Sequence, residues 1–195
     1  MTETTNPALQ RLIDGNQRYV TGNLRHHHTD AEYRQKLVKG QTPFAAILGC
    51  SDSRVPLEMV FDQGLGDIFV IRVAGNVSNA VTIASVEFAV GVLNVPLVMV
   101  LGHSQCGAVT AATKDDTYAG YLEDLIDHIR PAVRRAGGVE GDLIENAIRI
   151  NSDIMAQELI DRSDLIAKAS NTDKTLIVSA YYDLDSGKVE VLREL

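Results

Sequence analysis

The sequence predicts an α/β fold. Its core is a mostly parallel central sheet, about four parallel strands plus an antiparallel C-terminal edge strand, flanked by helices and preceded by an N-terminal helical extension. Three observations carry this reading. Four short runs, FAAILGC (44–50), DIFVIRVAG (67–75), VPLVMVLG (95–102) and TLIVSAYYDL (175–184), are apolar at consecutive positions, as strands covered on both faces must be. Stretches with helical character separate them, and parallel neighbours need such crossovers. Finally, DSG at 185–187 reads as a hairpin turn into KVEVLREL, which must then return antiparallel along the sheet edge.

Each element follows from local pattern. In NPALQRLIDGNQRYVTGN, Leu9, Leu12, Ile13, Tyr19 and Val20 recur at helical spacing, with Gly22 closing the helix. The RHHHTD stretch (25–30) reads as a solvated loop, since adjacent histidines on a helix or strand cannot all face one metal. NAVTIASVEFAVGVL (79–93) is nearly all apolar and is expected to be buried, in part against another subunit. Residues 108–112 start a helix directly after the third strand run. Residues 121–136 and 142–163 read as amphipathic helices. With 195 residues and no linker or repeat, the chain is expected to form one domain over 1–195, with 1–40 as a helical arm.

Composition narrows the function classes. The net charge of −8 argues against nucleic acid or an anionic membrane as partner. Glu87, Asn94 and Pro96 interrupt the longest apolar stretch, so no membrane span is expected. The start, MTETTNPALQ, lacks the basic and apolar blocks of a secretion signal, which predicts a cytoplasmic protein. The two cysteines, Cys50 and Cys106, are then not expected to form a structural disulfide; metal binding, catalysis or simple burial remain.

The chemistry-bearing residues fall at strand ends, where open α/β sheets bind their ligands. CSDSRVP (50–56) follows the first run, and GHSQCGAV (102–109) closes the third. If those strands are neighbours, Cys50, His103 and Cys106 converge as a three-donor zinc set with a vacant fourth position. Two thiolates neutralise Zn²⁺. Ser104 is expected to cap the helix carrying Cys106, and Gly107 leaves a backbone N–H unobstructed for an anionic product. Asp52 either binds the metal as a fourth ligand in a closed state or pairs with the planar fork of Arg54. The glycines of GHSQCGAV do not make a phosphate loop, because Ala108 stands where that loop needs lysine.

CSDSRVP followed some fifty residues later by GHSQCGAV closely resembles the β-class carbonic anhydrases, with their Cys-x-Asp-x-Arg and His-x-x-Cys motifs. The likeness is close from about Gln41 to Cys106 and looser elsewhere. It implies zinc held by Cys50, His103 and Cys106, with Asp52 and Arg54 as a catalytic dyad. It also implies reversible hydration of carbon dioxide to bicarbonate and a proton through zinc-bound hydroxide, in a homodimer or homotetramer whose substrate pocket lies between subunits. Gln41 matches the family's bicarbonate-binding glutamine, and Phe69 an apolar wall residue. Phe88 stands where plant-type members usually carry tyrosine. Arg72 and Tyr182 match part of an inhibitory bicarbonate pocket, but Ile47 replaces its tryptophan, so that pocket is not expected. Other readings stay open: a carbon disulfide or carbonyl sulfide hydrolase on the same scaffold, and a closed, purely structural zinc centre. A dithiol redox protein is disfavoured, because neither cysteine lies in a C-x-x-C motif.

Overall fold

The structure, a computed structural model, describes residues 6–195; residues 1–5, which belong to the start read above for a secretion signal, lie outside that span. A five-stranded sheet has the order β2-β1-β3-β4-β5. Its strands are β1 (Ala45–Gly49), β2 (Ile68–Arg72), β3 (Leu97–His103), β4 (Leu176–Tyr182) and β5 (Val189–Glu194). The first four run parallel and β5 returns antiparallel on β4. This is the sheet that the apolar runs predict.

Two buried layers explain those runs. Side chains alternate across a strand, so Ala46 and Leu48 of β1 join Val98 and Val100 of β3 on one face. Ala45 and Ile47 join Leu97, Met99 and Leu101 on the other. The first face is covered by α4 (Ala80–Gly91), α5 (Gly107–Ala112), α6 (Tyr121–Ala136), α7 (Leu143–Arg162) and α8 (Asp164–Asn171). The second is covered by α1 (Pro7–Val20) and α3 (Leu57–Val60). The short α2 (Ala31–Leu37) has no buried residue.

Helix ends follow side-chain chemistry. Asn6 accepts the Ala8 and Leu9 N–H groups ahead of Pro7, and Gly22 ends α1 with a positive φ of 71°. The Gly22 N–H bonds Tyr19 O and the Asn23 N–H bonds Arg18 O, which together form a Schellman closure. Within α1, buried Asn16 donates to Val60 O (3.1 Å) and Gly187 O (2.8 Å) and accepts the Val189 N–H (2.9 Å). This ties α1 to the β4–β5 hairpin.

Helix α4 is capped by Asn79, and its apolar surface is not wholly covered within the chain: Val81 is 76% exposed, Phe88 45% and Val92 60%. These lie along one stripe. The long helical pattern at 142–163 ends at Ser163, whose side chain then caps α8. Among the described residues no helix is long and apolar enough to cross a membrane.

Candidate active site

Strand order places the site. From β1 the chain steps to β2 on one side, then crosses back to β3 on the other, so the carboxyl ends of β1 and β3 flank a topological switch point. Gly49 pairs with Leu101, which sets Cys50 beside the end of β3 and His103 just beyond. Cys106, at the N-cap of α5, completes the group: Cys50, His103 and Cys106 are all buried, with ligand atoms within 4.8 Å of one another. Both cysteines are free thiols.

The electrostatics of the cluster are those of a cation site. The neighbouring Cys106 side chain, and then His103, overcome burial and lower the Cys50 pKa to about 4. The Cys106 thiol is driven up by the adjacent Cys50 sulfur and by burial. The two sulfurs thus compete for one proton. His103 Nδ1 lies 2.9 Å from Ser104 O, which fixes the ring, while its buried Nε2 has no hydrogen-bond partner. An orphaned imidazole nitrogen beside two soft sulfur donors fits zinc in donor type and number.

Asp52 and Arg54 sit at the rim. Arg54 binds both Asp52 oxygens in a fork, Nε to Oδ1 at 3.0 Å and Nη2 to Oδ2 at 2.8 Å, and its Nη2 also reaches Gln105 O at 3.2 Å. The fork outweighs burial and lowers the Asp52 pKa to about 2. Asp52 Oδ2 lies 3.9 Å from His103 Nε2. The carboxylate is thus turned to Arg54 while facing the cluster.

Other predicted residues are placed differently. Gly107 opens α5 beside Cys106, and a side chain there would meet nothing within 4 Å. Ser104 does not cap α5; its Oγ accepts the Leu184 N–H (2.8 Å), and Cys106 itself takes the N-cap position without a side-chain bond. Phe69 and Phe88 do meet, with ring centroids 6.0 Å apart, where α4 covers the β2 edge. Gln41 is exposed ahead of the amino end of β1, at the opposite end of that strand from Cys50. The hydroxyl of Tyr182 pairs with that of Tyr19, and Arg72 donates to Cys50 O (2.8 Å) and Asp52 O (2.6 Å).

Residues 45–189 match the family model described as carbonic anhydrase. The chain belongs to the carbonic anhydrase family. As a β-carbonic anhydrase it is a lyase. It is 42% identical over 199 residues to carbonic anhydrase 2 of Mycobacterium tuberculosis, covering 97% of this chain and 94% of that protein. It is 38% identical to the carbonic anhydrase of Mycolicibacterium smegmatis, covering 96% and 93%. The structure of the β-carbonic anhydrase CcaA matches at 29% identity with a TM-score of 0.74 over 95% of each chain. A tetrameric β-carbonic anhydrase of Sordaria macrospora shares the fold at 21% identity, with a TM-score of 0.77 over 97% and 100%.

This carbonic anhydrase also has supports that sequence reading missed. A short 3₁₀ turn, Ala74–Asn76, follows β2, with Gly75 at φ 67° and ψ 17°. The Gly75 N–H points at Cys50 Sγ (3.4 Å), and the Gly75 carbonyl accepts from Asn151 Nδ2 of α7 (2.9 Å). A Cβ on Gly75 would lie 2.5 Å from Ile129 Cδ1. The only local signal was the AGN turn. Asn151, 76 residues away, gave none.

Proposed function

We propose that this chain hydrates carbon dioxide reversibly to bicarbonate and a proton, using zinc held by Cys50, His103 and Cys106. The single observation that carries the reading is the buried cluster of two thiols and one unpartnered imidazole nitrogen at the β1–β3 switch point. A zinc ion there supplies Lewis acidity that makes water ionise near neutral pH. The chain's own groups do the rest. Asp52 accepts a hydrogen bond from the attacking oxygen and orients it. Arg54 keeps that carboxylate ionised and, through its fork, off the metal. The Gly107 N–H holds the bicarbonate oxygen that develops charge.

Phe69 and Phe88 form the apolar wall against which carbon dioxide rests. Gln41 stands too far along β1 to serve its own cluster, so Gln41 of the partner subunit binds the product, in a homodimer or homotetramer. The exposed stripe of α4 supports that assembly. We place the protein in the cytoplasm as one domain with a helical arm over residues 1–40. Zinc content measured beside stopped-flow carbon dioxide hydration on one sample tests the reading. It predicts one thiolate-bound zinc per chain and hydration that vanishes with it; hydration surviving removal of that zinc overturns it.

A further inference from the structure

A second cluster of metal-ligating atoms lies at the opposite, amino end of the parallel strands and is built from the histidine run and Asp67. His27 Nε2 and His28 Nδ1 both approach the same oxygen of Asp67, at 3.2 and 3.0 Å from Oδ2. The three ligand atoms lie within 4.8 Å of one another. Asp67 immediately precedes β2 and is 6% exposed; the two imidazoles are 29% and 34% exposed. The loop is therefore not the solvated one its sequence suggests.

Backbone conformation explains how adjacent residues do this. His26 and His28 have φ of 49° and 56°, in the left-handed region that non-glycine residues seldom adopt. Those two reversals turn consecutive side chains toward one point, which neither helix nor strand allows. The rings meet edge-on, at 80° with centroids 4.7 Å apart, and the His28 ring stacks on Tyr33 of α2 at 3.9 Å. Strained residues of this kind persist where surrounding structure fixes them. Here they aim two ring nitrogens at a buried carboxylate.

We propose that His27, His28 and Asp67 form a second, non-thiolate site for a divalent transition ion such as Zn²⁺ or Co²⁺. Two imidazoles and one carboxylate suit such ions rather than Ca²⁺ or Mg²⁺, which take oxygen ligands. The two nitrogen-to-oxygen separations, 3.2 and 3.0 Å, match edges of a tetrahedron whose metal–ligand bonds are about 2.0 Å. On binding, each near nitrogen gives up to solvent the proton it shares with Asp67, each imidazole takes the neutral tautomer protonated on the far nitrogen, Nδ1 of His27 and Nε2 of His28, and the near lone pair is presented to the ion. Asp67 is pre-oriented: Arg11 Nη2 holds Oδ1 at 2.7 Å and the Gly64 N–H holds Oδ2 at 2.8 Å. A cavity of about 550 Å³ lined by Gln10, Arg11, Asp14, Arg18, Arg25 and His27 supplies the fourth ligand as water or a small anion. The charge of Arg11 weakens the site, so the thiolate cluster fills first. The ion's effect is structural: it joins the histidine loop, and with it α1 and α2, to the start of β2.

The test loads the metal-stripped full chain with Co²⁺ and follows its spectrum and stoichiometry. Two equivalents per chain are expected, the first with a sulfur-to-cobalt charge-transfer band and the second without one. Cys106→Ser should keep the second equivalent. His28→Ala, and independently His27→Gln, should lose that equivalent and retain the sulfur-ligated one, whose band also reports that the variant has folded. A single, wholly sulfur-ligated equivalent in the parent chain overturns the proposal and leaves the proposed function standing. A single equivalent without sulfur ligation does the reverse.

Discussion

Replacing Gly75 with alanine tests whether the turn after β2 holds the candidate metal cluster in place. Gly75 is left-handed at φ 67°, a conformation that costs a residue with a Cβ roughly 1–2 kcal/mol. The new methyl would lie 2.5 Å from Ile129 Cδ1 and 3.3 Å from Ala108 Cβ. Ile129 is fully buried, so its side chain has little room to retreat, and overpacking of this kind costs about 1–3 kcal/mol. Lower entropy of the unfolded chain returns up to about 1 kcal/mol. The expected net loss is about 2–4 kcal/mol, or roughly 5–15 °C in melting temperature for a chain of this size.

Moving the turn also displaces the N–H that meets Cys50 Sγ, so zinc affinity should fall about 10–100-fold, as when other outer-shell groups are lost. Guanidinium denaturation of the loaded protein and competition with a chelator measure the two effects. Gly107→Ala is the control, because a methyl there meets nothing within 4 Å. If Gly75→Ala stays within about 0.5 kcal/mol of the parent, a surface-like change, and binds zinc as tightly, the argument is refuted.

Cys50→Ser should abolish both zinc retention and hydration, read by metal analysis and stopped flow; full zinc occupancy would remove Cys50 from the ligand set. Arg54 holds the folded pKa of Asp52 at about 2, against an ordinary 3.8. Its stabilisation is therefore complete above the ordinary value and disappears as pH falls through about 2. Activity should rise from about pH 6.5 to above 8 with ionisation of the attacking water, and the profile should show no inflection from Asp52. Arg54→Ala should cut hydration at neutral pH at least about tenfold by freeing Asp52 to occupy the metal, with partial recovery at alkaline pH; wild-type activity at pH 7 would contradict the dyad. Val81→Asp combined with Val92→Asp should weaken self-association at least about tenfold, seen by sedimentation at micromolar concentration. An unchanged assembly would place the contact elsewhere.

The strands were legible because a strand buried on both faces must be apolar at every position, and β1, β3 and β4 obey that rule almost without exception. The candidate metal cluster was legible because Cys50, His103 and Cys106 lie at or just after the ends of those strands, where the topology gathers chain segments. Short elements were not. Helix α3 has four residues, too few to show a period, and α8 continues the polarity pattern of α7 across Ser163. The cap of α5 was misread because Ser104 has a better acceptor role toward Leu184, across 80 residues. The histidine run defeated local reasoning for a related cause: its geometry depends on two left-handed residues and on an aspartate some forty positions away.

Asn16 sets an order of events for a chain leaving the ribosome. Its helix is among the first segments made, yet its amide finds the Gly187 carbonyl only 171 residues later. At synthesis rates of about 5–20 residues per second, α1 waits roughly 10–35 s for that acceptor. Until then Leu9 and Leu12, fully covered in the finished protein, have only the earlier-made part of their layer to pack on, such as Val60 and Phe61, and the outer edge of β4 has no strand beside it. The nascent chain therefore carries two incompletely covered surfaces that a single late event hides together. Shortening the chain by its last nine residues removes that event. It turns a change at one terminus into a loss of order at the other.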